Sequence, residues 1–250
     1  MSNRIFRSLP VALLVGAFLT CGVMAQGTER GFFPPQQAGA GGGPYYAAFQ
    51  LSIPELDSRL AEMGLEGLPE WISLFGAGGS IQMGSLMIGG FTLVGAVQRS
   101  GTAAGIERKA RLDLSYGGLT VGYVKAMSNL KLTLGGAIGT GRLVLKLNRF
   151  PQTGRSWDGT WQYYAAGFTG TVDAGSLDTS AELSGNYFFL EPFFGIRYWL
   201  MPLVAFDLNA FYRLGRIGAG KLESIGESIA DSPALDLSGM GLRVGLFLGF

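Results

Sequence analysis

The side chains that most often carry out chemistry in proteins are scarce in this sequence. It contains no histidine and a single cysteine, Cys21. Asp173 with Asp178, and Glu223 with Glu227, form two acidic pairs in predicted loops, and a carboxylate pair can perform general acid–base catalysis. Loop acids are more often simply solvated, and neither a phosphate-binding loop nor a cluster of metal ligands accompanies them. The sequence therefore predicts a protein that is not an enzyme and that has no cofactor and no metal site.

A second set of polar residues alternates with apolar residues in β-like segments. Its charged members are Arg111, Asp113, Lys131, Glu191, Arg197, Asp207, Arg213 and Arg243. If the apolar faces of these segments meet lipid, the charges line the inside of the sheet, where opposite signs can pair. One interpretation is an interior filled by paired charges and glycines, and the other is a polar pathway or ligand site. The first is favoured, because side chains just fill the interior of an eight-stranded barrel.

The composition favours a glycine-rich β protein. Glycine accounts for 41 of the 250 residues, 48% of the residues are hydrophobic and only 15% are charged. Low charge with a high apolar content argues against disorder. The net charge is +1, and removing Arg4 and Arg7 leaves 17 basic and 18 acidic residues. No basic stripe is present, so nucleic acid is not an expected partner.

Residues 1–25 are typical of a secretory signal peptide. Arg4 and Arg7 supply the basic start, residues 11–19 form a short apolar run, and Val23 and Ala25 suit a cleavage site after Ala25. The alternatives are a retained membrane anchor, for which the run is short, and a lipoprotein acylated at Cys21, whose preceding residues fit poorly. We expect cleavage and export.

The last eleven residues alternate without a break, as the two faces of a β-strand do. One face is entirely apolar and consists of Met240, Leu242, Val244, Leu246, Leu248 and Phe250. The other face consists of glycines with Arg243 and Phe247.

This ending resembles that of bacterial outer-membrane β-barrel proteins, which typically close on a strand with a terminal Phe. The resemblance implies that Leu242, Val244, Leu246, Leu248 and Phe250 are the signal read by the barrel-assembly machinery. It further implies location in the bacterial outer membrane and membrane lipid as a partner. Barrel enzymes of this class depend on a catalytic histidine, which this chain lacks.

Alternation elsewhere predicts an all-β fold, a closed antiparallel transmembrane β-barrel of eight strands. The predicted strands are 79–85, 86–99, 107–116, 118–127, 130–148, 183–199, 203–215 and 236–250. Strands at 44–51 and 161–172 would raise the count to ten. A β-bulge is expected near residues 139–141, where the apolar parity shifts. Residues 100–106, 127–129 and 200–202 are predicted as inner connections, and 149–182 and 216–235 as outer loops.

The part before residue 79 divides into three predicted segments. Residues 26–43 are interpreted as a flexible leader and 44–78 as a strand followed by an amphipathic helical segment, with the barrel at 79–250. Ser52 and Glu55 have capping-box spacing for a helix that Gly64 ends. A second short helical piece is expected at 69–75. We expect the helix to pack over one end of the barrel, with a plug and a membrane-surface position as alternatives.

Three functions remain open from the sequence. The first is a structural or interaction barrel that binds through an aromatic outer loop, with Trp157, Trp161, Tyr163 and Tyr164 as contacts; these aromatics can instead be an interfacial girdle. The second is a small-solute channel or porin-like transporter. The third is a secreted, soluble β-domain that binds a ligand. The partner of the loop stays unidentified.

Overall fold

The computed structural model of the protein describes residues 38–103, 106–127, 129–151, 179–224 and 227–249. Its helix, α1, spans Pro54–Glu62. The long strands are β1 (Ala38–Gln50), β2 (Trp71–Met83), β3 (Leu86–Ala103), β4 (Ile106–Met127), β5 (Leu130–Pro151), β6 (Thr179–Met201), β7 (Val204–Ile217) and β11 (Gly239–Gly249). Three two-residue strands lie between β7 and β11: β8 (Glu223–Ser224), β9 (Glu227–Ser228) and β10 (Leu235–Asp236).

The eight long strands form one antiparallel sheet in which each pairs on both sides. Strands β1 to β7 pair in chain order, β7 also pairs with β11, and β11 pairs with β1. The first and last long strands are therefore neighbours. The prediction of an all-β, antiparallel protein is confirmed.

The two ends of the sheet differ in their connections. At the turn end, β2 is followed by β3, β4 by β5 and β6 by β7, each pair separated by only two residues. Gly84 has a φ of 62°, which glycine adopts without strain. At the opposite end, here called the helix end, β1 leads through α1 to β2, and β7 leads through residues 218–238 to β11. Since β3 ends at Ala103 on the helix end, the prediction that 100–106 shares an end with 127–129 is wrong.

Several predicted boundaries are corrected. Residues 107–116 and 118–127 are not two strands, because β4 runs unbroken through Gly117 and pairs with β3 along its length. Residues 38–43 belong to β1 rather than to a leader, and residues 71–75 begin β2 rather than a second helix. The predicted strand at 161–172 and the signal segment lie outside the described residues.

The C-terminal end of α1 agrees with the prediction, and its N-terminal end does not. Ile53, not Ser52, occupies the N-cap, no side chain caps the helix, and Pro54 begins it. The predicted capping box is therefore wrong. Pro54 is suited to the first helical position because the backbone N–H that proline lacks would have no intrahelical acceptor there. Gly64 follows the C-cap with a φ of 72° and ends the helix as expected. Among the described residues, no helix combines the length and apolar character that a membrane crossing requires.

The sheet has a buried inner face and an exposed outer face, and the polarity of both faces inverts along the longest strands. In the half of β4 nearest the turn end, the outer face carries Leu119, Val121 and Tyr123, which are all exposed. Nearer the helix end, Leu112 and Leu114 are instead buried on the inner face. Strand β5 behaves likewise. We call these the turn half and the helix half.

In β4 and β5 the inversion occurs at the same level of the sheet. Gly117 and Gly118 of β4 pair with Thr140 and Gly139 of β5. We call this row the inversion level. No register shift interrupts β5 against β4 or β6, so the predicted bulge near 139–141 is wrong. The apolar residues change from one face to the other there, while the alternation of the strand continues unbroken.

Candidate functional site

The inner face of the turn half holds a network of buried charges. Glu191 of β6 is fully buried and accepts hydrogen bonds from two arginines. Arg213 of β7 donates to Glu191 Oε2 from Nε at 3.2 Å and from Nη2 at 2.9 Å. Arg243 of β11 donates from Nη2 to the other oxygen, Oε1. A single carboxylate thus joins three neighbouring strands, as a buried charge requires partners.

A second ion pair lies nearer the turn end. Arg197 of β6 donates two parallel hydrogen bonds to Asp207 of β7, from Nε to Oδ1 at 2.6 Å and from Nη2 to Oδ2 at 2.9 Å. Tyr45 of β1 donates its hydroxyl to Asp207 Oδ2 at 3.1 Å. This bidentate geometry is the strong form of an arginine–carboxylate pair. Lys131 completes this group of polar side chains, and its Nζ donates to Gln82 Oε1 at 2.9 Å.

Aromatic rings surround the arginines on the inner face. The Arg213 guanidinium lies 3.5 Å from the ring centre of Tyr116 and 4.2 Å from that of Phe49. Arg243 lies 4.0 Å from the ring centre of Phe91, and Arg197 lies 3.4 Å from that of Phe247. These cation–π contacts add attraction where water is excluded.

Glycines of adjacent strands make room for the inner rings. A Cβ placed on Gly141 would lie 2.5 Å from the Tyr187 hydroxyl, and one on Gly241 would lie 2.3 Å from the ring of Phe211. Both distances are too short for non-bonded atoms. The abundance of glycine on the inner face therefore follows from the packing of large aromatic residues against neighbouring backbone.

The free space inside the turn half is small. A cavity of about 50 Å³ is bordered by the Arg197–Asp207 pair, by Arg243 and by Ser80, Thr120 and Thr133. A neighbouring cavity of about 10 Å³ borders Lys131 and Gln82. A buried water needs ~10–15 Å³ on this measure, so the first cavity holds a few water molecules and the second about one.

The helix half is filled by apolar side chains and covered by α1. Leu56 and Leu60 of α1 are buried together with Ile53 and Leu65, in the same cluster as Leu112 of β4. Arg108 donates from Nη1 to the Met63 carbonyl, and Arg99 donates from Nε to the Gly67 carbonyl at 3.0 Å. The expectation of a helix over one end of the sheet agrees with these contacts. In β10, hydrogen bonds from the Ser238 side chain and backbone hold the pKa of the Asp236 carboxyl below its usual value.

The eight predicted interior charges divide into two groups. Lys131, Glu191, Arg197, Asp207, Arg213 and Arg243 lie on the inner face. Arg111 and Asp113 do not, and their assignment to the interior is wrong: they pair with each other on the outer face at 2.8 Å, with the Arg111 side chain 53% exposed. They lie in the helix half, where the buried face is the apolar one.

The remaining predicted site residues take simple positions. Leu242, Val244, Leu246 and Leu248 lie on the outer face of β11, and Phe250 lies outside the described residues. Glu223 and Glu227 are exposed on the small β8–β9 hairpin. Trp157, Trp161, Tyr163, Tyr164, Asp173 and Asp178 lie outside the described residues. Among the residues that the structure does describe, no three His, Cys, Asp or Glu side chains converge as metal ligands would.

Sequence reasoning missed the polar residues of β1 and β2 that face the cavity. Tyr45, Ser80 and Gln82 occupy alternate inner positions of those strands. The signal was available in 71–83, where Ile72, Leu74, Ser80 and Gln82 share one parity. Glycines in between interrupt the alternation and hide it.

Comparisons with known proteins give similar folds only. No protein-family model and no curated protein matches the chain. Ail, the attachment invasion locus protein of Yersinia pestis, is 8% identical with a TM-score of 0.42, and the match covers 86% of this chain and 99% of that one. OprG from Pseudomonas aeruginosa is 12% identical with a TM-score of 0.40, covering 86% of this chain and 96% of that one. The outer-membrane protease OmpT from Escherichia coli is 10% identical with a TM-score of 0.39, covering 89% and 99%. The chain resembles bacterial outer-membrane β-barrel proteins at the level of the class.

Proposed function

We propose that this chain is an integral outer-membrane protein: a closed barrel of eight strands with a sealed interior, whose helix half stands beyond the membrane as an interaction surface. The observation that carries this proposal is the inversion of polarity along β4 and β5. A strand with an apolar outer face and a polar inner face suits lipid, and the reverse pattern suits water. Both patterns on one strand indicate that it passes from one solvent to the other.

The apolar outer face of the turn half has the extent of a membrane belt. On β4 the outward residues from Leu119 to Met127 are apolar except for Lys125, and they extend about 26 Å along the strand at ~3.3 Å per residue. With the ~40° tilt usual for barrel strands, this gives ~20 Å across the bilayer, close to the ~25 Å band of such barrels. Exposed large apolar side chains occur on the outer face of all eight long strands. They argue against the secreted, soluble domain, because soluble monomers rarely expose large continuous apolar patches.

The three longest strands support a projecting surface. Strands β4 and β5 have 22 residues each and β6 has 23, whereas a barrel strand needs only ~9–11 to cross a bilayer. The excess lies in the helix half. Short turns face the periplasm in known barrels, which orients the helix half toward the cell exterior.

A channel is supported less well than a sealed barrel. The inner face of the turn half is occupied by paired charges and rings, and its larger cavity is only about 50 Å³. Apolar side chains and α1 fill the other half. Membrane lipid on the belt and the barrel-assembly machinery on β11 are the partners that follow from this proposal, and the surface partner stays open.

Cysteine labelling in intact cells tests the orientation and the belt together. In a Cys21→Ser background, which removes the only cysteine of the sequence, Arg111→Cys and Leu119→Cys form a matched pair. Both sites lie on the outer face of β4, and the native side chains are 53% and 65% exposed, respectively. We expect a membrane-impermeant maleimide to label position 111 and to spare position 119.

The outcomes separate the alternatives. Labelling of both positions in the purified protein without detergent would indicate a soluble domain. Labelling of position 111 only after the outer membrane is permeabilised would reverse the proposed orientation. Stable single-channel conductance of the refolded protein in a planar bilayer would replace the sealed barrel with a channel.

A further inference from the structure

The buried charges of the turn half do not balance among the described residues. Lys131, Arg197, Arg213 and Arg243 are cations on the inner face, and Glu191 and Asp207 are the carboxylates that face them. Arg197 and Asp207 neutralise each other through two hydrogen bonds. Glu191 is shared between two arginines, and Lys131 bonds to the neutral Gln82. Two positive charges are therefore in excess inside the sheet.

The larger cavity lies among these charges. Its border includes Arg243, of which only 5% is exposed. The Nε of Arg243 is buried and has no hydrogen-bond partner. The border also includes Ser80, Thr120, Thr133 and Asn209, whose side chains carry hydroxyl or amide groups. Asp207 borders it too, with its oxygens held by Arg197 and Tyr45. Hydroxyl, amide and guanidinium groups are all hydrogen-bond donors.

We propose that this cavity binds a small inorganic monoanion of the size of chloride. A surplus of buried positive charge is costly without a counter-charge, and the donors at the cavity border suit an anion. The volume of about 50 Å³ accommodates a monatomic ion with one or two waters and excludes larger organic anions. The site concerns the interior of the barrel and is independent of the proposed surface interaction.

Thermal unfolding of the refolded, full-length mature protein in detergent micelles tests the site. Chloride is titrated against gluconate, an anion too large for the cavity, at constant ionic strength. We expect the Tm to rise with chloride and to level off, and bromide to act in the same way. A Tm that is unchanged, or that drifts linearly without saturation, would overturn the proposal.

Two variants locate the effect. Asn209→Asp places a carboxylate at the cavity border, so we expect a higher Tm in gluconate and no further response to chloride. Lys146→Gln removes a cation whose side chain is exposed on the outer face, and it should keep the full chloride response. Retention of that response by Asn209→Asp would contradict the proposed location.

A direct measurement covers the case in which Asn209→Asp does not fold. Crystals of the unmodified protein grown with bromide should show an anomalous peak in the cavity near Arg243 and Thr133. A cavity without that peak in well-ordered crystals would overturn the proposal, whatever the variants do.

Discussion

Replacing Glu191 by glutamine should destabilise the protein far more than removing a comparable carboxylate from its outer face. Glu191 is completely buried and is the acceptor for both Arg213 and Arg243. A glutamine at this position is neutral, so the two buried guanidinium groups would lose their shared counter-charge. Breaking a buried pair in this way costs about 3–5 kcal/mol.

Asp113 provides the matched control, since it is also a carboxylate that faces two cations. Arg111 and Lys146 approach it at 2.8 and 3.7 Å, and all three side chains are substantially exposed. Asp113→Asn should cost about 1 kcal/mol or less, because exposed ion pairs contribute little.

Equilibrium unfolding in urea with detergent micelles measures both changes. With an m-value of ~2 kcal/mol per molar, Glu191→Gln should lower the midpoint by roughly 2 M and Asp113→Asn by ~0.5 M or less. Arg213→Met should fall between them, because Glu191 keeps Arg243 while ring contacts of the guanidinium are lost. Equal losses for Glu191→Gln and Asp113→Asn would refute the view that Glu191 is tightly paired and shielded from bulk solvent.

Three further predictions concern the helix half and its loop. Leu143→Ala should cost about 2–4 kcal/mol in urea unfolding, because Leu143 is buried, whereas Arg142→Ala on the opposite face of β5 should cost ~0.5 kcal/mol; similar costs would contradict the inversion. Gly64→Ala should cost about 1 kcal/mol, since an alanine is strained at a φ of 72°, and an unchanged Tm would refute that reasoning. Trp157→Ala combined with Trp161→Ala should reduce adhesion of cells that display the protein to immobilised polysaccharides, and unchanged adhesion would remove this loop as the contact site.

The alternation of apolar residues was sufficient to orient β6, β7 and β11. In these strands the predicted outer residues, such as Phe188, Phe206 and Leu242, are exposed, and their neighbours Glu191, Asp207 and Arg243 are buried. Each of these strands carries its long apolar outer stretch in the turn half. In the turn half apolar residues face outward, so the two-residue alternation assigns the outer and inner residues of these three strands correctly.

Glycine and proline explain most of the missed boundaries. Pro34, Pro35 and Gly41 to Gly43 suggested a flexible leader, yet Gly41 to Gly43 lie in β1, where a Cβ on Gly41 would meet the Leu248 carbonyl at 2.3 Å. The close approach of β1 and β11 is a long-range contact that local patterns do not report. The capping-box spacing of Ser52 and Glu55 failed for a related reason, since Pro54 already starts the helix.

The wrong assignment of Arg111 and Asp113 has a more general cause. Period two determines which residues share a face of a strand, but it does not determine which face is buried. In lipid the apolar face points outward, and in water it points inward. In the proposed membrane location, β4 passes from lipid to water. Its Tyr123 and Leu119 are exposed while Leu114 and Leu112 are buried, although both pairs are apolar and belong to one uninterrupted strand. The sequence does mark the crossing, because the apolar parity of β4 and of β5 changes at glycines that pair with each other, Gly118 with Gly139. A parity change at glycines in two successive strands, each twice the length needed to cross a bilayer, is therefore better interpreted as a change of solvent than as a bulge or a strand end.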